Sequence, residues 1–159
     1  MHKIKITFLS ITILLISVCS FGQSGNKLID KGYHGEISVS TLFGALSTFE
    51  TAVSTTQSYN FGNGFSLGGG VGIEDFNNPS LYVYMDASYY FDRNQWYPYG
   101  RAKLGIVYGE FIDDSAGVLF VPEIGVGKGR FTLGAGLAYN FFLEAVNIVR
   151  PQLSLSFHF

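Results

Sequence analysis

From Leu81 to Phe91 the chain alternates strictly: Leu81, Val83, Met85, Ala87, Tyr89 and Phe91 hold one phase, and Tyr82, Tyr84, Asp86, Ser88 and Tyr90 hold the other. A period of two is that of a β-strand whose faces meet unlike surroundings. The same alternation sets Phe131, Leu133, Ala135, Leu137 and Tyr139 against Thr132, Gly134, Gly136, Ala138 and Asn140, and Leu153, Leu155, Phe157 and Phe159 against Gln152, Ser154, Ser156 and His158. Four further segments follow it: Ile37, Val39 and Phe43 against Glu36, Ser38 and Ser40; Phe65 to Ile73; Ala102 to Tyr108; and Val118, Phe120, Ile124 and Val126 against Glu123, Gly125 and Gly127. An eighth strand falls between Thr48 and Asn60, where Phe49, Val53, Tyr59 and Phe61 share a phase that Thr51, Thr55 and Gln57 interrupt.

The connections alternate as well. After the second, fourth and sixth strands they are compact: Gly62-Asn63-Gly64, Asp92 to Gln95, and Lys128-Gly129-Arg130. Gly, Asn and Asp tolerate positive φ and favour tight hairpins. The gaps around Ala45 to Thr48, Asp75 to Ser80, Glu110 to Ala116 and Phe142 to Arg150 are longer on average and carry acidic residues. Tight turns at one end and longer loops at the other predict an all-β fold, an eight-stranded antiparallel up-and-down barrel.

The start of the chain reads as a secretory signal: Lys3 and Lys5, an apolar run from Ile6 to Val18, then small residues at Ser20 and Gly22 before Gln23. The run is shorter than the roughly 20 residues a membrane helix needs. A lipid anchor on Cys19 fits less well, because Val18 is bulky where such sites resemble one another in carrying a small residue. The expected organisation is a signal over 1–22 and one barrel domain over 23–159. The mature chain keeps 8 basic and 12 acidic side chains, a net charge of −4. With no basic excess and no Lys/Arg run, a nucleic-acid partner is excluded. A hydrophobic content of 47% excludes disorder, and a single Cys excludes a disulfide framework or a Cys-rich zinc site. Large porins need more chain than this.

Composition also decides which phase faces out. Only 14% of residues are charged, against about 25–35% on a typical soluble surface. A soluble lipocalin-like barrel would turn the apolar phase inward around a ligand. Its exterior would then be mostly Gly, Ser, Thr and Tyr, which suits a narrow polar lumen better than a water-facing surface. The apolar phase therefore faces lipid. Phe61, Phe65, Phe91, Trp96, Tyr97, Phe131 and Phe159 gather near the tight turns as an interfacial girdle.

The final segment, Leu153-Ser154-Leu155-Ser156-Phe157-His158-Phe159, resembles the terminal strand by which outer-membrane barrels are recognised by the barrel assembly machinery. Leu155, Phe157 and Phe159 carry that likeness. With the export signal and the eight alternating segments, the mature chain resembles small eight-stranded outer-membrane barrels of the OmpA/OmpX type. The resemblance implies an outer-membrane location in a Gram-negative-type bacterium, lipid contact, both termini on the periplasmic side and loops open to an extracellular partner.

Inside such a barrel the polar phase holds Glu36, Glu74, Asp86, Arg101, Lys103 and Glu123, expected to form a lumen ion-pair cluster. Folding the third and fourth strands about Asn78 sets Gly72 against Tyr84, Gly70 against Asp86 and Gly68 against Ser88. Folding the fifth and sixth about Asp113 sets Lys103 against Glu123, and a turn at Asn94 leaves Asp86 near Arg101. The cluster either plugs the lumen or gates a narrow pore or small-solute route; plugging is expected, because eight strands enclose only enough room for side chains. No catalytic, cofactor-binding or metal-binding set is evident. His34 and His158 are the only histidines after the signal and meet near the periplasmic rim. Two histidines without a spaced third ligand suit a rim better than a metal site. Some eight-stranded outer-membrane barrels modify lipid A acyl chains with a Ser close to a His on the lipid-facing side; here Ser156 shares the lumen phase with His158 and no His-x-Ser occurs, so an enzyme is not expected. Gly68-Gly69-Gly70-Val71-Gly72 lacks the spacing and Lys-Ser/Thr ending of a phosphate loop and sits inside a strand.

Overall fold

The computed structural model describes residues 31–44, 49–76, 79–91, 96–109, 116–142 and 147–159. Eight strands run in chain order around a closed antiparallel barrel: β1 (Gly32–Phe43), β2 (Phe49–Asn60), β3 (Phe65–Glu74), β4 (Ser80–Tyr90), β5 (Trp96–Gly109), β6 (Ala116–Lys128), β7 (Phe131–Phe142) and β8 (Ile148–His158). The expected signal over 1–22 lies outside the described residues, as do Asn78, Asn94 and Asp113.

The registers fix the barrel's size. One circuit of strand partners runs Gly32, Asn60, Ser66, Ser88, Arg101, Glu123, Gly136, Gln152 and back to β1 at Leu42, ten residues from its start. Eight strands with that stagger tilt by about 40° and enclose a radius of about 8 Å. Closure extends to Phe159, which exchanges 2.9 Å backbone hydrogen bonds with Gly35 in both directions. A closed sheet leaves no edge, the condition for putting backbone amides into hydrocarbon.

Alternation sorts the side chains as the polarity of the phases requires. Val83, Met85, Leu104, Ile106, Leu133 and Leu155 are exposed outside, with Ile124 at 73%, while Glu36, Asp86, Arg101, Lys103 and Glu123 are buried within. This is the reverse of a lipocalin-like arrangement. β2 runs unbroken through Thr51, Thr55 and Gln57, because β-branched threonine suits an extended backbone and all three pair with β1, Thr55 and Gln57 with β3 as well.

Aromatic side chains ring both ends of the outer surface. At the turn end Tyr33, Tyr59, Phe61 and Phe65 form a chain of ring contacts 4.9–5.8 Å apart, joined around the rim by Tyr89–Phe91 at 5.0 Å and Phe131–Phe157 at 5.2 Å. Tyr97 departs from the expected girdle. It is buried in the lumen, its hydroxyl donating to the Gly129 carbonyl at 3.0 Å, because it lies in phase with Tyr99 and Arg101. A second belt at the loop end, which the sequence reading did not single out, contains Phe43–Phe49 at 5.6 Å, Phe120–Tyr139 at 6.1 Å and Tyr139–Phe141 at 6.2 Å.

The two ends differ less in length than turn chemistry suggests. Five, five, six and five residues separate the strands at the loop end, against four, five and two at the turn end. The last loop shrinks most, because Ile148, Val149 and Arg150 belong to β8. At the Gly62-Asn63-Gly64 turn both glycines take positive φ, and the Asn60 and Asn63 side chains accept from the Gly62 and Phe65 amides at 2.8 and 3.0 Å.

Two pairings differ from expectation by one step along the same face. Gly72 lies opposite Tyr82, Gly70 opposite Tyr84 and Gly68 opposite Asp86; Arg101, not Lys103, lies opposite Glu123. Moving a hairpin's centre by one residue shifts its register by two, which preserves each side chain's face and changes only its partner. The shift gives both tyrosines a socket: a Cβ on Gly72 would collide with the Tyr82 ring, and one on Gly70 with Tyr84 and the Thr55 carbonyl. Gly125 and Gly127 accommodate Tyr99 and Tyr97 in the same way. Because the atoms nearest a Cβ on Gly72 all belong to the Tyr82 ring, Gly72→Ala is expected to cost about 1–2 kcal/mol in urea unfolding from lipid bilayers, and under about 0.5 kcal/mol in a Tyr82→Leu background. Equal costs in both backgrounds would mean that the socket is not what constrains Gly72.

Candidate functional site

The lumen is layered along its axis. Nearest the tight turns, Tyr90, Tyr97 and Tyr99 form a buried aromatic group, with Tyr90 and Tyr97 rings 5.8 Å apart. Next comes an ion-pair layer, then an apolar layer of Leu42, Ala52, Tyr82, Tyr84, Val107, Leu119, Val121 and Ala138. A second charged group on Glu50, Glu74 and Arg150 closes the loop end.

Arg101 on β5 organises the ion-pair layer. Its guanidinium reaches across the lumen to β1 and donates bidentately to Glu36, through Nη1 to Oε1 at 2.7 Å and through Nη2 to Oε2. Its Nε donates to the Ser88 hydroxyl at 3.1 Å and lies 3.2 Å from Asp86 Oδ2, while Nη1 is 3.8 Å from Glu123 Oε1. The carboxylates have further donors: Ser88 to Asp86 at 2.7 Å, and Tyr99, Ser154 and Gln152 to Glu123 at 2.8, 2.7 and 3.2 Å. A planar fork of five donors suits this position better than a point charge, since it serves three carboxylates and a hydroxyl at once.

The structure therefore brings Glu36, Asp86, Arg101 and Glu123 into contact and separates the other two sequence-derived candidates. Lys103 lies beside them opposite Asp86, but its ammonium packs 5.0 Å from the centre of the Tyr84 ring and makes no ion pair among the described residues. Tyr84 is held in turn by Thr56, the two hydroxyls 2.8 Å apart. Glu74 belongs to the other end of the barrel, where Arg150 Nη1 pairs with both Glu74 and Glu50. Sequence reasoning missed that second group because Arg150 lay in a segment read as loop and Glu50 in the irregular strand. The phase of Gln152, Ser154 and Ser156, extended back two residues, was the signal that could have found Arg150.

His158 also enters the lumen. Its Nδ1 is 3.5 Å from Glu36 Oε2 and its Nε2 is 3.1 Å from the Thr132 hydroxyl. His34 lies two residues before Glu36 on β1, near the rim where Gly35 meets Phe159. A hydroxyl, an imidazole and a carboxylate in sequence have the order of a nucleophilic relay. Here all three are buried, and Glu36 is already bound to Arg101, so the group holds β1, β7 and β8 together at the seam. Among the described residues no group of three or more His, Cys, Asp or Glu is arranged to hold a metal ion.

The charge pattern generates a graded prediction. Arg101→Met leaves three buried carboxylates without their shared cation and is expected to cost about 3–5 kcal/mol, whereas Lys103→Met, which breaks no ion pair, should cost under about 1.5 kcal/mol. Adding Glu36→Gln to Arg101→Met should restore part of the loss. Equal costs for the two single variants, measured by urea titration in bilayers, would remove Arg101 from its central place.

Similarity to known proteins lies in the fold. No family model matches the sequence, and no curated protein sequence is significantly similar to it. Among solved structures, the N-terminal β-barrel domain of Pseudomonas aeruginosa OprF aligns with a TM-score of 0.58 and 18% identity, over 82% of this chain and 98% of that one. The Yersinia pestis outer membrane protein Ail, solved in a phospholipid bilayer nanodisc, aligns with a TM-score of 0.52 and 13% identity, over 79% of this chain and 99% of that one. The chain thus has the closed eight-stranded architecture of small outer-membrane barrels.

Proposed function

We propose that the protein is an integral outer-membrane β-barrel with a structural or surface-interaction role and a lumen plugged by its own side chains. The observation that carries this reading is the polarity of the closed sheet. Leu, Val, Ile and Met face out between two aromatic belts, while a paired ionic layer and tyrosines fill the interior. Apolar side chains outside and polar ones within is the arrangement a membrane barrel needs and a soluble one cannot use. The fold shared with OprF and Ail supports the same solvent. Outer-membrane lipid is then the principal partner.

In this reading the tight turns face the periplasm and the loops face outward. Leu155 and Phe157 lie on the outer face of β8, and Phe159 continues that strand past Gly35, which suits the segment to recognition by the barrel assembly machinery. An extracellular partner would be met by the short loops between β1 and β2, β3 and β4, β5 and β6, and β7 and β8. This reading includes no enzymatic role; the hydroxyl–imidazole–carboxylate group found among the described residues is sealed inside.

Plugging is supported by the layers themselves. A solute would have to part the Arg101 ion pairs and then pass Tyr82, Tyr84, Leu119 and Val121, all buried. A narrow pore or small-solute route is the alternative that a functional assay separates. The detergent-folded protein is expected to migrate differently on SDS gels before and after boiling, to be recovered with outer membranes, and to show no steady conductance in planar bilayers. A steady open pore abolished by changing Arg101 or Lys103 would overturn the plug. Recovery as a soluble periplasmic protein without a heat-dependent shift would overturn the membrane reading.

A further inference from the structure

Strand β2 breaks a rule that the rest of the outer surface obeys. On β3 through β8 the outward positions between the aromatic belts are Leu, Val, Ile, Met, Ala, Gly, Pro or aromatic; on β1 and β2 they include Thr41, Thr51, Thr55 and Gln57. These are the residues that interrupt the apolar phase in the sequence, and the strand pairing places them on one wall. Thr41 lies opposite Thr51, Thr55 lies between Ile37 and Val71, and Gln57 lies between Gly35 and Gly69.

Gln57 stands in a notch. Neither neighbour in its row has a Cβ; the Phe159 ring lies over Gly35 on one side, and exposed Met85, the β4 partner of Gly69, bounds the other. The space above Gly69 is nearly open, a Cβ there meeting only the Tyr84 carbonyl at 3.3 Å. The Gln57 side chain is exposed and has no hydrogen-bond partner among the described residues. One step further into the belt-to-belt span, Thr55 is only 7% exposed and its hydroxyl is also unpartnered. Hydrocarbon supplies neither donor nor acceptor to the exposed Gln57 carboxamide, whereas the Thr55 hydroxyl is covered by the protein itself.

We infer that this wall is the contact face of a two-fold symmetric dimer of this chain, in which the Gln57 carboxamides of two copies pair with each other. A carboxamide carries a partially positive NH2 and a partially negative oxygen, so two of them related by a two-fold axis satisfy one another with two hydrogen bonds. Membrane insertion supplies the axis. Copies inserted in one direction are related by a rotation about the membrane normal, so each residue meets its own counterpart at the same depth. With strands tilted by about 40°, the two β2 strands cross steeply and touch over a short stretch. Gly35 and Gly69 flank that stretch, and small residues permit the close approach that polar contacts in lipid require. The polar positions being confined to β1 and β2 selects this wall over the six others.

The test is energy transfer between donor- and acceptor-labelled copies of the full chain, carrying Cys19→Ser and a dye on Arg130→Cys, reconstituted in phosphatidylcholine vesicles over a range of protein-to-lipid ratios. Saturable transfer that depends linearly on acceptor fraction is expected, as for a dimer. Gln57→Leu should weaken association about tenfold, while Ile124→Ala, on the far wall, should leave it unchanged. The heat-dependent gel shift establishes that each variant is folded. Three results would overturn the inference: transfer no greater than random crowding at any ratio, association of Gln57→Leu equal to that of the unaltered chain, or equal loss from Ile124→Ala. Retention of outer-membrane lipid at one per barrel in native mass spectrometry, lost in Gln57→Leu without any dimer, would assign the notch to lipid instead.

Discussion

A sheet that closes after eight strands with a stagger of ten leaves a cylinder only about 8 Å in radius, and everything inside it has to be chosen to fit. That constraint explains the glycines. Gly70, Gly72, Gly125 and Gly127 lose their side chains so that Tyr84, Tyr82, Tyr99 and Tyr97 can lie across the lumen from the neighbouring strand. Large side chains on one strand and none on the next is how a small barrel fills its interior without distorting its wall.

The same narrowness dictates the electrostatics. Carboxylates on β1, β4 and β6 converge because their strands enclose so little space, and burying them singly would be costly. Arg101 answers all three through one planar group, and the hydroxyls of Ser88, Tyr99 and Ser154 take up remaining acceptor capacity. At the loop end Arg150 does the same for Glu50 and Glu74. Between the two charged layers lies an apolar one, and the tyrosines Tyr90, Tyr97 and Tyr99 lie beyond the Arg101 layer at the turn end.

The outer face carries the complementary demand. Most of it is plain hydrocarbon-facing surface bounded by aromatics, which is what anchoring a cylinder in a bilayer requires. The one polar wall, on β1 and β2, is also where the sequence alternation was least regular. An irregularity in a binary pattern marks a position that answers to something besides the fold.

The sequence by itself determined the eight strands and, Tyr97 apart, the faces of the residues it singled out, because alternation with period two is a local property that survives any register. It also identified Glu36, Asp86, Arg101 and Glu123 as inward charges. Only the tertiary structure decided which of them touch. A hairpin centred one residue away moves every partner by two places without turning a single side chain over, so Arg101 rather than Lys103 came to face Glu123, and Gly70 rather than Gly72 came to face Tyr84. Closure was likewise beyond local reading: the contacts of Glu36 on β1 with Arg101 on β5 and with His158 on β8 exist only because the first and last strands meet around a cylinder of this width. Tyr97 and Arg150 lay within local reach, through their phase with Tyr99 and with Gln152, but the layer that Glu74 joins did not, since a strand's depth is set by its neighbours rather than by its own residues.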